Sequence, residues 1–188
     1  MTPDEIIERV ASGLGAGAVC ELSQGTVTVT VPPEAWRAAL AFARGDLGCD
    51  FFDWLSAVDE SAVGELDARL AVTAHVYSLP GRHHLLLRTV VGPGAPALPT
   101  ATGIYRGAAW HERETHEMFG VAFTGHPGLE PLLLPEGFEG HPLRKDFVLA
   151  ARVAKDWPGA KDPGDRGGAA RGGRRLPPPG VPEGWRPG

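Results

Sequence analysis

The strict alternation of threonine and valine at residues 26–31 restricts the possible folds more than any other segment of the chain. A repeat of two places Val27, Val29 and Val31 on the same face of a β-strand, which a helix cannot do. A sheet with one apolar face needs a second layer to cover that face. Residues 18–22 are expected to pair with this strand as a hairpin. The chain is therefore predicted to contain a covered β-sheet.

Two amphipathic helices are predicted, one on each side of this hairpin. The first begins with a capping box between Thr2 and Glu5 and ends near residues 13–15. The second spans residues 33–45 and ends at a glycine. Their apolar positions recur at helical spacing: Ile6, Ile7, Val10 and Leu14 in the first helix, and Trp36, Ala39, Leu40 and Ala43 in the second. Each helix therefore has an apolar face that can cover the sheet.

Further strands follow the second helix and are joined by short connections. Three are predicted, at residues 51–58, 70–77 and 84–91. The last two are linked through the turn dipeptide Pro80-Gly81. Short connections favour an antiparallel or mixed sheet with the helices on one face. Two short helices are expected at residues 100–106 and 110–119. Residues 1–124 are thus interpreted as one two-layer α+β domain.

The chain changes character after this domain. At residues 125–156 regular periodicity is absent, yet leucine and phenylalanine remain frequent, which predicts an extended but ordered arm. Residues 157–188 contain 16 glycines and prolines and are predicted to be a disordered tail. This tail carries a charge of +3 within a net charge of -5, so the rest of the chain carries -8. An acidic body argues against a nucleic-acid partner.

Catalytic and metal-binding patterns are weak in this sequence. Cys20 and Cys49 show no CxxC spacing, and two thiols cannot form a four-thiolate metal site. His111 and His116 suggest the zinc-protease pattern HExxH, but a five-residue offset turns them about 140° apart on a helix. A metal-dependent hydrolase would require these two histidines to share a metal. No glycine-rich nucleotide loop and no nucleophile elbow is present.

The sequence also lacks the segments that would insert it into a membrane or export it. No apolar run approaches the roughly 18 residues of a membrane-spanning helix. The first ten residues carry acidic side chains where a signal peptide would carry basic ones. We therefore expect a cytoplasmic protein that is soluble in itself.

The segment at residues 110–119 is apolar only at its ends, which leaves two interpretations open. It is either a solvated helix tip with Arg113 and Glu117 as an i, i+4 ion pair, or a charged surface that faces another protein. The arm that follows contains two Gly-His-Pro corners and then residues 143–147, where charges lie between two apolar anchors. This pattern suits a docking peptide in which Arg144 binds a carboxylate through two hydrogen bonds.

Three segments together resemble one known family. Residues 110–129 read WHERETHEMFGVAFTGHPGL, residues 139–147 read EGHPLRKDF, and residues 50–59 read DFFDWLSAVD. This pattern is similar to the signature of the C-type subunit, also called the 30 kDa subunit, of NADH-quinone oxidoreductase, which is respiratory complex I. The resemblance covers residues 33–147 and is carried mainly by the first two segments.

The resemblance implies a structural subunit of a proton-translocating enzyme complex, with no active site of its own. It implies that FMN, iron-sulfur clusters and quinone are held by partner subunits. The arm is expected to wrap the D-type subunit of complex I, with the B-type subunit as a second partner and the I-type subunit as a further candidate. The chain would then lie peripherally on the cytoplasmic side of the cell membrane. An equivalent subunit of a membrane-bound hydrogenase and a diverged standalone interaction module are the alternatives that remain open.

The motif match assigns a docking and positioning role to fourteen residues. They are Glu112, Arg113, Glu114, Phe119, Gly120, His126, Pro127, Gly140, His141, Pro142, Leu143, Arg144, Lys145 and Asp146. The chain departs from the family pattern at His116-Glu117, where an aromatic residue and aspartate are usual, and at Glu130-Pro131, where basic residues are usual. An acid at position 130 predicts a basic residue opposite it on the D-type subunit, because like charges across an interface are unfavourable.

Overall fold

The computed structural model describes residues 1–61, 69–92 and 94–148. Within these ranges the chain forms three α-helices, two single turns of 3-10 helix and seven β-strands. The helices are α1 (Pro3–Leu14), α2 (Trp36–Gly45) and α3 (Ala108–Phe119), and the strands are β1 (Val19–Ser23), β2 (Thr26–Thr30), β3 (Phe51–Asp59), β4 (Leu70–Ser78), β5 (His83–Val91), β6 (Ala97–Pro99) and β7 (Ala122–Thr124). None of the helices in the described ranges is long and apolar enough to cross a membrane.

The main sheet has five strands in the order β1-β2-β5-β4-β3. Strand β2 runs parallel to β5, and the other neighbouring strands are antiparallel. The predicted mixed sheet and α+β class are confirmed, and so is the hairpin of β1 and β2. Strands β6 and β7 form a separate parallel pair that the sequence did not indicate, because three-residue strands are too short to show an alternation.

The core lies between one face of the sheet and the helices. Alternate residues of each long strand are buried, among them Val29 on β2 and Leu87 on β5. The predicted apolar stripe of α2 is confirmed, since all four of its residues are fully buried. The capping box of α1 is also present: the Thr2 hydroxyl accepts a hydrogen bond from the Glu5 amide at 3.3 Å, and the Glu5 carboxylate accepts one from the Thr2 amide at 2.8 Å.

One predicted helix is wrong. Residues 100–106 form a series of turns, and α3 begins only at Ala108. The Thr100 hydroxyl accepts a hydrogen bond from the Thr102 amide at 3.1 Å, while the Ala101 amide donates to the carboxylate of Glu112. Side chains that bond nearby backbone groups compete with helix formation. In this segment the side-chain bonds stabilise turns in place of the predicted helix.

The described part of the arm, residues 125–148, has neither helix nor strand. Its last part contacts the domain through the Leu143 amide, which donates to the carbonyl of Met118 at 3.1 Å, and through the Lys145 amide, which donates to Asp59 at 2.9 Å. The predicted order of the segment stays a prediction. Residues 149–156 of the predicted arm and the whole predicted tail lie outside the described residues.

The turn between β1 and β2 generates a stability prediction. Gln24 and Gly25 both have positive φ angles, 50° and 82°, as a two-residue hairpin turn requires. Asparagine adopts this conformation more readily than glutamine, so Gln24→Asn should raise the free energy of unfolding by roughly 0.5–1 kcal/mol. The β-branched control Gln24→Val should lower it, because branching disfavours positive φ. Urea unfolding of the three proteins checks the ranking, and a Gln24→Val variant as stable as Gln24→Asn would contradict it.

Candidate partner-docking site

Helix α3 has a buried stripe that its sequence conceals. Ala108, Glu112, Thr115 and Phe119 lie at helical spacing on one side, and all four are buried. Two of these four positions are polar, so a search for apolar periodicity passes over the stripe. The helix is therefore a packed element of the domain. Of the two interpretations left open for this segment, the solvated helix tip is wrong.

Glu112 is fully buried and binds the loop at residues 100–102. Its carboxylate accepts a hydrogen bond from the Ala101 amide at 2.6 Å and one from the Thr100 hydroxyl at 2.5 Å. Burial raises the pKa of Glu112, and the two hydrogen bonds and nearby His126 only partly oppose this effect. Glu112 and Phe119 are both buried and have almost no surface that a partner could contact. Their role is therefore to position α3.

His126 forms the first of the two predicted Gly-His-Pro corners. Its Nε2 lies 3.1 Å from the Ala109 carbonyl, and its Nδ1 lies 3.0 Å from the Gly128 amide. A carbonyl can only accept and an amide can only donate, so the ring has its proton on Nε2. The side chain is 2% exposed, and its Nε2 lies 3.9 Å from the Glu112 carboxylate. The Nε2 atom thus attaches the start of the arm to α3, and the Nδ1 atom holds the turn of the arm at Gly128.

Glu117 binds three successive backbone amides of the arm. Its two carboxylate oxygens accept hydrogen bonds from Leu132 at 2.8 Å, Leu133 at 2.8 Å and Leu134 at 3.0 Å. Burial alone would raise the pKa of Glu117, but these bonds and the charge of Arg113 outweigh burial and lower it. The sequence predictions did not include Glu117 among the site residues. Its only signal was that it stands where the resembled family has aspartate.

Arg113 holds the adjoining part of the arm by its carbonyl groups. Its Nε donates to the Glu130 carbonyl at 2.9 Å, and its Nη2 donates to the Pro131 carbonyl at 2.7 Å. The guanidinium also lies 5.4 Å from the ring centre of Trp110, within the range of a cation–π contact. Arg113 and Glu117 were expected to bond mainly each other if the helix were solvated. Both instead hold the backbone of the arm.

The end of α3 and the second Gly-His-Pro corner fit together. Gly120 ends the helix with a φ of 78°, in the left-handed region that favours glycine. The Nδ1 of His141 donates to the Glu117 carbonyl at 2.9 Å, so the ring packs against this helix end. A Cβ on Gly120 would lie 2.6 Å from the His141 ring. Gly120 is therefore needed both for the backbone conformation and for the close approach of the arm.

Lys145 is fixed at the end of strand β3. Its amide donates to Asp59 at 2.9 Å, and its ammonium group donates to the Ser61 carbonyl at 2.6 Å. Burial would raise the pKa of Asp59, but bonds from Ser61 and Lys145 outweigh this effect and lower it. Lys145 was predicted as a docking residue. The structure gives its polar groups partners within the chain.

Other predicted site residues remain accessible on this ordered framework. Glu114, Pro127, Gly140, Leu143 and Asp146 are exposed, and Pro142 and Arg144 are half-buried. Arg144 lines an open depression of about 510 Å³ together with Glu139, Asp146 and Phe147. Among the described residues nothing bonds the buried Nε of Arg144. The predicted pairing of Arg144 with a partner carboxylate stays a prediction.

The arm presents apolar side chains that its own domain does not cover. Leu133 is 59% exposed, Leu143 is 56% exposed and Val148 is 63% exposed. Leu133 follows directly from the Glu117 contact, and Leu143 lies between the bonds of His141 and Lys145. Leu133 and Leu143 are therefore held in place by neighbouring hydrogen bonds, and exposed apolar side chains of this kind are typical of a protein-binding site.

The histidines and cysteines that were considered as metal ligands or catalytic groups lie in different environments. His111 packs edge-on against Phe52, while the Nδ1 of His116 donates to the Val121 carbonyl at 2.9 Å. Cys49 is buried, and burial raises its thiol pKa to about 11. Cys20 is half-buried on β1. In the ranges that the structure describes, no cluster of three or more metal-ligating side chains occurs.

The fold and site define a class: an α+β domain whose arm is bonded to α3 and carries exposed apolar side chains. The family model described as the 30 kDa subunit of respiratory-chain NADH dehydrogenase matches residues 29–153. The chain belongs to this family, so it is a complex I 30 kDa-type subunit of an enzyme complex.

Named relatives and solved structures agree with this membership. The C-type subunit of NADH-quinone oxidoreductase from Roseiflexus sp. (strain RS-1) is 42% identical over 149 residues, 78% of this chain and 84% of that protein. The corresponding subunit of Sinorhizobium medicae (strain WSM419) is 36% identical over 78% of this chain and 71% of its own length. The trypsin-resistant fragment of Nqo5 superposes with a TM-score of 0.58 at 26% identity, covering 68% of this chain and 99% of the fragment. A chain of an archaeal membrane-bound sulfane sulfur reductase shares the fold, with a TM-score of 0.65 at 21% identity over 84% of this chain and 98% of its own.

The contact of Glu117 with three amides predicts a pH-dependent effect. A lowered carboxyl pKa stabilises the fold above the ordinary value of 4.5, and this contribution is lost as the pH falls through the lower, folded-state pKa. Glu117→Gln should therefore reduce the hydrogen-exchange protection of Leu132, Leu133 and Leu134 at pH 7, by about 1.5–3 kcal/mol. The difference from the native chain should shrink as the pH drops below 4.5.

The control for this measurement is Glu136→Gln, an exposed change on the same arm that should leave those amides protected. Each variant is compared with the native chain at the same pH, so that intrinsic exchange rates cancel. Equal loss of protection in both variants, or a Glu117→Gln effect independent of pH, would contradict the assigned contact.

Gly120 and Gly128 offer a matched pair of substitutions. Gly120→Ala forces a strained φ and a contact with the His141 ring, so we expect a loss of about 1–3 kcal/mol in the free energy of unfolding. Gly128 has open space around it and no positive φ. Gly128→Ala should therefore change stability by less than about 0.5 kcal/mol. Denaturant unfolding of the two variants decides the point, and similar midpoints would argue against a special role for Gly120.

Proposed function

We propose that this chain is a non-catalytic scaffold subunit of a proton-translocating NADH-quinone oxidoreductase, and that its arm docks on a larger neighbouring subunit. One observation carries the proposal: the arm is ordered by α3 while Leu133, Leu143 and Val148 remain exposed. The related proteins are named as C-type subunits of NADH-quinone oxidoreductase, and these names supply the kind of complex.

Ordering before binding favours a docking role. Two side chains of α3 bond the backbone of the arm: Glu117 binds amide groups and Arg113 binds carbonyl groups. In the other direction, His141 of the arm bonds a carbonyl group at the end of α3. An arm fixed in this way loses less conformational entropy on association than a flexible one. Its exposed apolar side chains can then contribute their full burial to binding, roughly 1.5–3 kcal/mol for each large aliphatic side chain.

The proposed partners are subunits of types D and B, with type I as a further candidate contact, and nucleic acid is not among them. In this proposal electron transfer from NADH through FMN and iron-sulfur centres to quinone belongs to those partners, and this chain binds no cofactor. The separation of Cys20 on β1 from buried Cys49 supports that expectation, because neither thiol has a neighbouring cysteine to share a cluster. The chain would be peripheral, on the cytoplasmic side of the membrane.

The docking proposal predicts different effects for two equally exposed leucines. Leu143 on the arm is 56% exposed, and Leu79 in the turn between β4 and β5 is 60% exposed. Leu143→Asp should strongly reduce the recovery of D-type and B-type subunits with tagged chain from native membranes, because it places a charge in an apolar contact. Leu79→Asp should leave recovery unchanged. Mass spectrometry of the recovered proteins measures both.

Arg144→Glu is a second variant in the same experiment. It should also reduce recovery if the guanidinium meets a partner carboxylate, because its charge is reversed. Unfolding curves of each isolated variant identify any loss due to misfolding. A chain that is recovered alone in native form, folded and in good yield, would show that it acts outside the complex.

A further inference from the structure

The face of the sheet turned away from the helices carries a row of aromatic and imidazole rings. Trp54 on β3 lies 6.0 Å from His75 on β4, measured between ring centres. His75 lies 5.0 Å from His84 on β5, and His84 stacks on Tyr77 at 6.0 Å. In the strand pairing Trp54 is opposite His75, and Tyr77 is opposite His84. We call these four residues the ring row.

Hydrogen bonds hold the two imidazoles of the ring row in place. The Nδ1 of His75 lies 2.7 Å from the carboxylate of Asp53, and its Nε2 lies 2.8 Å from the Nδ1 of His84. When both rings are neutral, His75 donates to Asp53 and accepts from His84. The rings therefore cannot turn freely, and binding a partner on them would restrict few further rotations.

The ring row belongs to a surface that the described part of the domain leaves accessible. The core-facing residues of β3, such as Leu55, are buried, whereas Trp54 is 37% exposed and Val58 is 58% exposed. The side chain of Asp53 is 47% exposed beside His75. The two hydrogen-bonded imidazoles lie beside a tryptophan and a tyrosine on a face that also carries exposed Val58. Tryptophan and tyrosine are enriched at the centres of protein interfaces.

The charges on this face indicate which kind of side chain a partner would place there. Arg88 and Glu60 bond each other through two contacts of 2.7 and 2.6 Å, so this pair is neutral. Asp53 therefore supplies the carboxylate that lies beside the ring row. An arginine can stack on aromatic rings and bond a carboxylate at the same time, which lysine does less well. The face thus suits a guanidinium.

We propose that the ring row and Asp53 form a second interaction surface, which binds an arginine-bearing segment of a neighbouring subunit with its guanidinium on the rings and hydrogen-bonded to Asp53. This surface is separate from the arm residues. The inference depends on the proposed function in one respect, namely that the chain works inside a multi-subunit complex.

Site-specific cross-linking in the native complex tests the proposal. A photoreactive phenylalanine analogue replaces Val58, which lies on the same accessible face as Trp54 and about 13 Å further along β3. In a separate variant the analogue replaces Leu79 as an equally exposed control. Cross-links from position 58 should join an arginine-containing peptide of another subunit. Asp53→Asn, introduced with the probe at position 58, should reduce their yield about tenfold. The yield from position 79 should not change.

The outcomes separate this inference from the arm proposal. Suppose that the arm variants disrupt the complex, but that the undisrupted complex gives no cross-link from position 58, or a cross-link only to a second copy of this chain. The ring-row inference is then overturned and the arm proposal stands. A cross-linked peptide without arginine also overturns it. If neither the arm variants nor Asp53→Asn alters what is recovered with the chain, both proposals fail. Trp54→Leu provides a second check that keeps the His75 and Asp53 contact, and it should also lower the yield.

Discussion

The contact between the Glu117 carboxylate and three successive amides is the interaction on which the arm depends. Irregular backbone that is not paired with itself must satisfy its donors elsewhere, and a single carboxylate with two oxygens does so for Leu132, Leu133 and Leu134. Arg113 donates to the carbonyl groups of Glu130 and Pro131, the two residues that precede Leu132. Because both side chains come from α3, the position of the arm is determined by the position of that helix.

Glu112 in turn fixes the start of α3, but its electrostatics are opposite to those of Glu117. Burial raises the pKa of Glu112, so this group contributes stability at low pH, and the contribution is lost as the pH rises through the raised pKa. Glu117 stabilises the fold in its charged form, because its amide bonds and Arg113 lower its pKa. The pKa values of two carboxyl groups five residues apart on one helix are thus shifted in opposite directions, since one is buried in the core and the other lies among three amide donors.

The sequence predicted those parts of the fold in which each residue's burial follows a simple period. The alternation around Val29 and the stripe containing Leu40 led directly to β2 and α2. The helix predicted at residues 110–119 is confirmed as α3, but its burial was missed, because a stripe that includes Glu112 and Thr115 appears polar. The same reasoning failed at residues 100–106, where a carboxylate eleven residues away from Ala101 decides the backbone conformation. Contacts between a side chain and a distant backbone leave no periodic trace in a sequence, and the candidate site consists largely of such contacts.

Strand β3 connects the two surfaces of the molecule. The ring row includes Trp54 near its beginning, and the arm is anchored to Asp59 at its end. Asp59 lies five positions after Trp54, which corresponds to about 17 Å along the strand. Its inner face is packed into the core through Leu55 and Ala57, so the strand cannot change length or direction without disturbing the sheet. An aromatic surface and an apolar arm joined by such an element keep a fixed spacing. A scaffold needs this property, because it determines the relative position of whatever binds at each end.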